Sequence, residues 1–304
     1  MKPKIINMTI SRKVNSWLES IEDEKVRNLA RDNTIVTGGC IVSMLLGEEV
    51  NDFDLYFRNK ETTEAIAKYY VEKFKKNPPS RFKDSKEPID ITVRSDDDRV
   101  KIVVKSQGIV GESGIDNYGY FEQLGAADSI DFVDNILKDV KESTDNTRSK
   151  FRPVFLSANA ITLSQRIQLV IRFFGEPEQI HSTYDFVHCT SYWDSKTREL
   201  TLSKRALESI ISQDLFYMGQ SKYPICAMIR IRKFLSRGWK VTAGQILKIA
   251  WDISKLDLSN PTVLEDQLTG VGAAYFNQVI TLLRKKDPDK IDGSYLMEVI
   301  DQIF

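Results

Sequence analysis

The first fifth of the chain contains apolar patterns typical of both helices and strands. Four apolar residues at roughly helical spacing predict one helix over residues 14–29. They are Trp17, Ile21, Val26 and Leu29. A β-branched run at residues 34–36 then leads into two glycines, and an apolar helical segment follows and stops at Gly47. Residues 50–57 alternate apolar and acidic side chains as a strand does, so the predicted order is strand, glycine turn, helix, strand.

The remaining pattern divides the chain near residue 203. Before that point we predict a helix over 59–76, a hairpin over 89–111, an irregular stretch over 112–150 and strands at 151–163, 167–174, 182–193 and 194–202. Beyond it, helical signals dominate at 204–216, 224–238, 242–253, 262–268, 273–286 and 294–304. The predicted class is α+β. Residues 1–203 form a head with a mixed β-sheet, flanking helices and an insertion at about 58–150, and residues 204–304 form an all-helical domain.

Composition restricts the function classes. The 304 residues carry 43 basic and 43 acidic side chains, so any nucleic-acid contact must come from a local patch. No apolar run is long enough for a membrane span, and the N-terminal residues lack the apolar stretch of a signal peptide. The three cysteines are far apart, which argues against a disulfide framework or a cysteine-based zinc site. We therefore expect a soluble, cytoplasmic protein without a membrane partner.

The most informative stretch is the glycine turn and the strand after it. Gly38 and Gly39 would let backbone N–H groups approach an anion at a helix start. Asp52 and Asp54 are two residues apart, so on a strand both carboxylates share one face while Phe53 turns into the core. Neighbouring carboxylates repel each other unless a cation neutralises them, and hard oxygen ligands favour magnesium or manganese.

A third carboxylate would allow the site to hold two metal ions. The best candidate is Asp185, an acid between Tyr184 and Phe186 on the predicted strand 182–193. Three rivals remain, of which Asp131 and Asp134 lie on a predicted helix with outward acids and Asp90 begins a hairpin strand.

Other charged and titratable residues have simpler interpretations. Asp96, Asp97 and Asp98 occupy a hairpin tip, where a solvated turn is the better explanation. His181 and His188 have no spacing that suits zinc, and His188 is predicted to be packed rather than catalytic.

The helix at 224–238 places Arg230, Lys233 and Arg237 on one face. Two interpretations stay open for it. It is either a solvated surface, or a patch for triphosphate or RNA backbone with Arg232 near the base.

The diglycine, the 12-residue interval, Asp52-Phe53-Asp54 and Tyr184-Asp185-Phe186 together resemble the signature of polymerase-β-like nucleotidyltransferases. Within that superfamily the chain is most similar to the head and neck of tRNA nucleotidyltransferases and bacterial-type poly(A) polymerases, whose neck has an element comparable to residues 230–234. The resemblance implies a five-stranded mixed sheet, two Mg²⁺ ions (Mn²⁺ as the alternative), an NTP donor (ATP or CTP), release of pyrophosphate and an RNA 3′ end as acceptor, without a template.

The resemblance also implies roles for individual residues. Metal binding and catalysis fall to Asp52, Asp54 and Asp185. Nucleotide contacts fall to Gly38, Gly39, Ser43, Arg230, Arg232 and Lys233.

The chain departs from this family at several places, among them an Arg-Arg-Asp element that has only a partial counterpart at residues 203–206. Val42 and Ser43 stand where the tRNA-adding enzymes usually have an Arg-Asp pair, so the Ser43 hydroxyl would have to replace a triphosphate contact. The Glu-Asp-x-x-Arg element that selects C and A has no clear match. We therefore do not predict CCA addition. The alternatives are transfer to a protein, small-molecule or nucleotide acceptor, and a nucleotide-binding module that has lost catalysis.

Overall fold

The chain forms two compact units. A computed structural model describes residues 1–76, 90–105, 150–258, 260, 263 and 267, except 98, 158 and 220. Within these residues the sheet unit comprises the chain up to residue 180 together with Ser191–Leu202. The helical unit comprises His181–Thr190 and the described residues from 203 onward. No helix in this part of the chain is long and apolar enough to cross a membrane.

The sheet unit is built from nine strands and five helices in its described residues. The helices are α1 (Pro3–Glu19), α2 (Glu24–Asn33), α3 (Gly39–Leu46), α4 (Lys60–Lys76) and α5 (Pro177–His181), whose last residue is assigned to the other unit. The strands are β1 (Thr34–Thr37), β2 (Phe53–Phe57), β3 (Asp90–Asp96), β4 (Arg99–Lys105), β5 (Pro153–Leu156), β6 (Ala160–Leu163), β7 (Ile167–Phe174), β8 (Tyr192–Asp194) and β9 (Glu199–Thr201). The predicted α+β class with a mixed sheet is confirmed.

Seven strands form one mixed sheet in the order β5-β6-β7-β2-β1-β8-β9. Only the β2–β7 pair is parallel; the other neighbours in this described sheet are antiparallel. The described strands thus exceed the five that the family resemblance implied. Strands β5 and β6 lie at one edge of the sheet, and β8 and β9 lie at the other.

One face of this sheet is apolar across its full width. Residues in register from β5 to β9 contribute a continuous row of apolar side chains on that face, because paired residues on neighbouring strands point to the same side. The row is Leu156, Ile161, Leu169, Leu55, Val36, Trp193 and Leu200. These residues belong to, or pack against, one hydrophobic core that also includes buried residues of α1 and α4. Burying this row fixes the register, because a one-residue slip of any strand would turn it outward.

The helix predicted over residues 14–29 is two helices. The Ser20 hydroxyl donates to the Trp17 carbonyl at 2.6 Å at the end of α1, and the Asp23 carboxylate caps α2 by accepting from Val26 N at 3.0 Å. Ile21 lies between the helices and is fully buried. The apolar periodicity continued across the break because both helices pack on the same core. An N-cap aspartate was the missed signal.

Two predictions are confirmed: the helix that follows β2, and the hairpin that follows this helix. Asn59 accepts from Thr62 N at 2.9 Å and so caps α4. Strands β3 and β4 pair antiparallel from Asp90↔Lys105 to Asp96↔Arg99. Their turn lies at the predicted position, and Asp96 and Asp97 are exposed there. The irregular segment predicted at 112–150 lies outside the described residues, apart from Lys150.

The helical unit contains three described α-helices. They are α6 (Lys204–Ser212), α7 (Pro224–Leu235) and α8 (Ala243–Ile253). The Ser203 side chain accepts from Ala206 N and begins α6 where the composition changes. The helices predicted at 273–286 and 294–304, and most of the one predicted at 262–268, fall outside the described residues.

Candidate functional site

The diglycine turn connects β1 to α3 in the sheet unit. Gly38 has φ 91° and ψ −148°, a conformation that side-chain-bearing residues rarely adopt, so this position requires glycine. Gly39 opens α3, and a Cβ atom built there would have no neighbour within 4 Å. Among the residues that the structure describes, no side chain caps this helix. The first-turn N–H groups of α3 therefore have no capping side chain, which is the backbone arrangement that suits an anion.

Asp54 lies beside this turn. Its register partner on β1 is Thr37, the residue before Gly38, and its partner on β7 is Gln168. Both belong to a second row that crosses the sheet on the face opposite the apolar row. That row is Thr162, Gln168, Asp54, Thr37, Tyr192 and Thr201. Asp54 is half-buried within this polar row, whereas Phe53 packs into the core as predicted.

Gln168 is a site residue that the sequence analysis missed. It is half-buried and next to Asp54, and its side chain makes no hydrogen bond within the described part of the chain. The signal was present in the apolar segment 167–174, where a polar side chain at the second position marks the face that is not in the core.

Asp52 lies on a loop and not on the strand that we predicted for both carboxylates. Strand β2 begins at Phe53, and Asp52 is exposed just before it. Arg166 holds this loop by donating to the Val50 carbonyl at 2.7 Å and pairing with Glu49 at 2.7 Å. The strand begins only after Asp52 because its first ladder bond runs from Phe53 N to Arg166 O, at 2.8 Å. Arg166 therefore positions the segment that carries Asp52.

Ser43 lies four residues into α3, one full turn beyond Gly39. It is partly exposed, and its backbone carbonyl accepts from Glu48 N at 2.8 Å at the end of the helix. The hydroxyl is therefore in the middle of the helix and not in the first turn with the open N–H groups. Its predicted triphosphate contact stays a prediction.

Asp185 is in the helical unit and not on a strand. Residues 182–185 include a turn and a bend, Phe186 makes an isolated β-bridge with Tyr217, and Val187–Cys189 is a short 3₁₀ helix. Only residues 192–193 of the predicted strand join the sheet, in β8. Two groups hold the Asp185 carboxylate: it accepts from Ser221 Oγ at 2.6 Å and forms an ion pair with Arg230 Nη1. Its side chain is 5% exposed and that of Arg230 is 40% exposed.

The cations of α7 that were predicted to contact nucleotide differ in whether they form an ion pair. Arg230 is paired with Asp185. Arg232 and Lys233 are exposed in the last turn, and the Arg237 guanidinium lies 5.7 Å from the Phe234 ring centroid. Of the two interpretations left open for this helix, the ion pair supports a structural role for Arg230, while Arg232 and Lys233 stay accessible to an anionic partner.

His188 is packed, as predicted. Its ring lies 4.6 Å from each of the Phe234 and Trp239 ring centroids, and neither ring nitrogen has a hydrogen-bond partner. Burial, with a smaller effect of Arg237, lowers the pKa of His188 to about 3. The ring is therefore neutral near pH 7 and is not a proton carrier there.

The residues fit a divalent cation only in part. Asp52 and Asp54 supply the hard oxygen donors that Mg²⁺ favours. Within the described residues, however, no group of three histidine, cysteine, aspartate or glutamate side chains converges as a metal site. Of the rivals for the third acid, Asp90 begins β3, and Asp131 and Asp134 lie outside the described residues.

Comparisons with known proteins find distant structural matches and a family. The chain resembles a Thermotoga maritima CCA-adding enzyme complexed with tRNA (10% identity, TM-score 0.39, 95% of this chain and 53% of that one). It also resembles a Bacillus stearothermophilus CCA-adding enzyme in complex with CTP (13% identity, TM-score 0.39, 93% and 52%). A likeness this distant carries no argument about activity. The chain spans about half the length of these solved chains.

The sheet unit combines a strand, a diglycine turn, a helix and a strand in a mixed sheet, the class of fold that the sequence resemblance implied. The model of the Gabija anti-defense 2 family matches residues 8–213, and the chain belongs to that family. A relative from Bacillus phage SPbetaL7, "Gabija anti-defense 2", is 23% identical over 139 residues. The match covers 45% of this chain and 33% of that relative.

Proposed function

We propose that the protein is a metal-dependent, template-independent nucleotidyltransferase that acts against the Gabija defence. The observation that carries the proposal is the register Thr37↔Asp54, which sets a carboxylate beside the residue that leads into an uncapped diglycine turn. One element favours phosphate and the other a divalent cation, and a bound Mg²⁺–NTP contains both.

In the proposed reaction, the oxygen of an acceptor hydroxyl attacks the α-phosphorus of an NTP and loses its proton to solvent. The bond from the α-phosphorus to the bridging oxygen of the β-phosphate breaks, and pyrophosphate leaves. Divalent ions would stabilise the charge on the attacking and leaving oxygens. Asp52 and Asp54 would hold those ions, and the N–H groups from Gly39 onward would bind the phosphates.

We propose a supporting role for the other predicted residues. Arg232 and Lys233 are the cations available to the acceptor or the triphosphate. Asp185 could act as a third ligand only after exchanging Arg230 and Ser221 for the ions, so Asp52 and Asp54 are the ligand set that we favour. The division into a head of residues 1–203 and a helical domain of residues 204–304 likewise remains a proposal.

The family name favours an acceptor within the defence system, such as a protein hydroxyl or a nucleotide. An RNA 3′ end is the second candidate, and the exposed Arg232 and Lys233 favour it because they could contact phosphates of the backbone. The two candidates differ in where the transferred nucleotide is found.

The proposal is tested in bacteria that carry the Gabija system and are infected by a phage sensitive to it. Co-expressed wild-type protein should restore plaque formation, and Asp54→Asn should not. Asp32→Asn, which changes an exposed acid on α2, is the matched control and should behave as wild type. Restoration by the Asp54 variant, at equal protein level, would contradict an enzymatic role.

The acceptor is identified with the same three proteins. Lysates of Gabija-carrying cells are incubated with each α-³²P-labelled NTP and Mg²⁺, then separated into protein, RNA and small-molecule fractions. Label that depends on Asp54 should appear in the protein or small-molecule fraction. Label confined to RNA would replace the favoured acceptor with the second candidate.

A further inference from the structure

Lys13 on α1 places a half-buried ammonium group against two aromatic rings. Its Nζ atom is 5.5 Å from the ring centroid of Phe53 and 5.6 Å from that of Phe151. Both rings are themselves buried, at 7% and 3% exposure. Phe53 begins β2 and Phe151 shortly precedes β5, so three separate segments of the sheet unit meet at this amine.

Within the part of the chain that the structure describes, this ammonium group has no anionic partner. Among the described residues, Lys13 makes no hydrogen bond and no ion pair; its contacts are the two rings. Burial and then repulsion by Arg166 lower the pKa of Lys13 below its ordinary value. The charged amine is therefore partly desolvated, and a bound anion would stabilise it.

The chemistry of the surroundings selects the kind of anion. The buried faces of Phe53 and Phe151 leave no aromatic surface on which a nucleobase could stack. Arg166 already donates to Val50 O and is paired with Glu49, so Lys13 is the side chain that would donate to an anion here. A compact, doubly charged group with several acceptor oxygens matches this better than a carboxylate does.

We infer that Lys13 is the binding residue of an anion site for one phosphoryl group, at the start of β2 and next to the loop that carries Asp52. This site goes beyond the proposed reaction, because it needs neither Asp54 nor a metal ion. The phosphoryl group could belong to inorganic phosphate, pyrophosphate or the phosphate chain of a nucleotide. The competing explanation is that Lys13 only covers the two rings with its stem and has no ligand.

Calorimetric titration without Mg²⁺ tests the inference, using phosphate, pyrophosphate and ATP in turn. Pyrophosphate should bind wild type, and Lys13→Met, which keeps an apolar stem, should bind it at least about tenfold more weakly because a charge-assisted hydrogen bond is lost. Lys13→Arg should stay within about threefold of wild type. Lys4→Met removes an exposed lysine of the same helix and should change nothing.

The preferred source follows from the three ligands. Tightest binding of ATP would assign the site to a nucleotide, and tightest binding of phosphate or pyrophosphate to the free anion. Either result supports the site if it depends on Lys13. The inference fails if none of the three binds wild type, or if Lys13→Met binds as wild type does.

A second measurement follows the Lys13 resonance in wild-type protein, so its result does not depend on whether a variant folds. In wild type labelled with ¹³Cε-lysine, pyrophosphate should shift the resonance that Lys13→Arg lacks. The same shift should occur in Asp54→Asn, so loss of nucleotidyl transfer and loss of this anion site can be told apart. An unshifted Lys13 resonance at saturating pyrophosphate would refute the inference.

Discussion

The ion pair between Asp185 and Arg230 allows its two partners to be compared quantitatively. The Asp185 side chain is almost completely buried, whereas that of Arg230 is 40% exposed. Among the described contacts, Arg230→Met would leave the buried Asp185 carboxylate with only the hydrogen bond from the Ser221 hydroxyl. Stranding one member of a buried pair costs about 3–5 kcal/mol, and the partial exposure of Arg230 favours the lower end, about 3 kcal/mol.

Asp185→Asn should cost less. The asparagine can still accept from Ser221, and Arg230 can turn its guanidinium to water, so we expect a loss of about 1–2 kcal/mol. In the double variant Arg230→Met/Asp185→Asn, the two losses of unfolding free energy should not add, because no unpaired carboxylate is left.

Urea unfolding followed by tryptophan fluorescence measures all three free energies of unfolding. A loss for Arg230→Met no larger than that for Asp185→Asn would refute the structural role of the pair. Nucleotidyl transfer supplies an independent check. If Asp185 stabilises the helical unit and does not bind metal, folded Asp185→Asn should keep transfer within about threefold of wild type. A thousandfold loss in folded protein would instead restore Asp185 as the third metal ligand.

Two further predictions concern His188 and the diglycine. The folded-state pKa of His188, about 3, lies below its ordinary 6.5, so its contribution to stability is complete above pH 6.5 and is lost as the pH falls towards 3, by about 1.4 kcal/mol per pH unit. In His188→Phe, the urea midpoint should therefore depend less on pH between pH 7 and 4 than in wild type. An unchanged pH dependence would contradict this. Gly38→Ala should cost about 1–3 kcal/mol of stability because φ at this position is 91°. Gly39→Ala should keep the stability of wild type and reduce nucleotidyl transfer, because the added methyl group would crowd the phosphates. Equal stability losses at both positions, or full transfer by Gly39→Ala, would count against phosphate binding at the diglycine turn.

The sequence was most informative where local chemistry decides the backbone. The diglycine turn, the strand through Asp54 and the capped start of α4 depend on residues close in the chain, and each lies where the pattern predicted it. The same holds for the hairpin turn at Asp96 and Asp97.

The sequence-based prediction was wrong where residues distant in the chain determine the local structure. Residues 182–189 have the β-branched and aromatic character of a strand, but Asp185 is held by Ser221 and Arg230, both more than 30 residues away. No local pattern encodes that pair. The break between α1 and α2 failed for a different reason: a common core keeps the apolar spacing continuous through Ile21.

The roles of Lys13 and Arg166 were also beyond the sequence. They lie more than 150 residues apart, and only the fold shows that the charge of one acts on the other. Their positions relative to Phe53 depend on the parallel pairing of β2 with β7, which a single sequence does not specify.

The central claim is that Asp54 supports nucleotidyl transfer, and the initial rate of transfer tests it most directly. Purified wild type, Asp54→Asn and Asp32→Asn are compared with α-³²P-labelled ATP or CTP, Mg²⁺ and the acceptor fraction. Loss of a metal ligand removes several kcal/mol of transition-state stabilisation, so Asp54→Asn should be on the order of a thousandfold slower while Asp32→Asn matches wild type. Equal rates for wild type and folded Asp54→Asn would contradict the account.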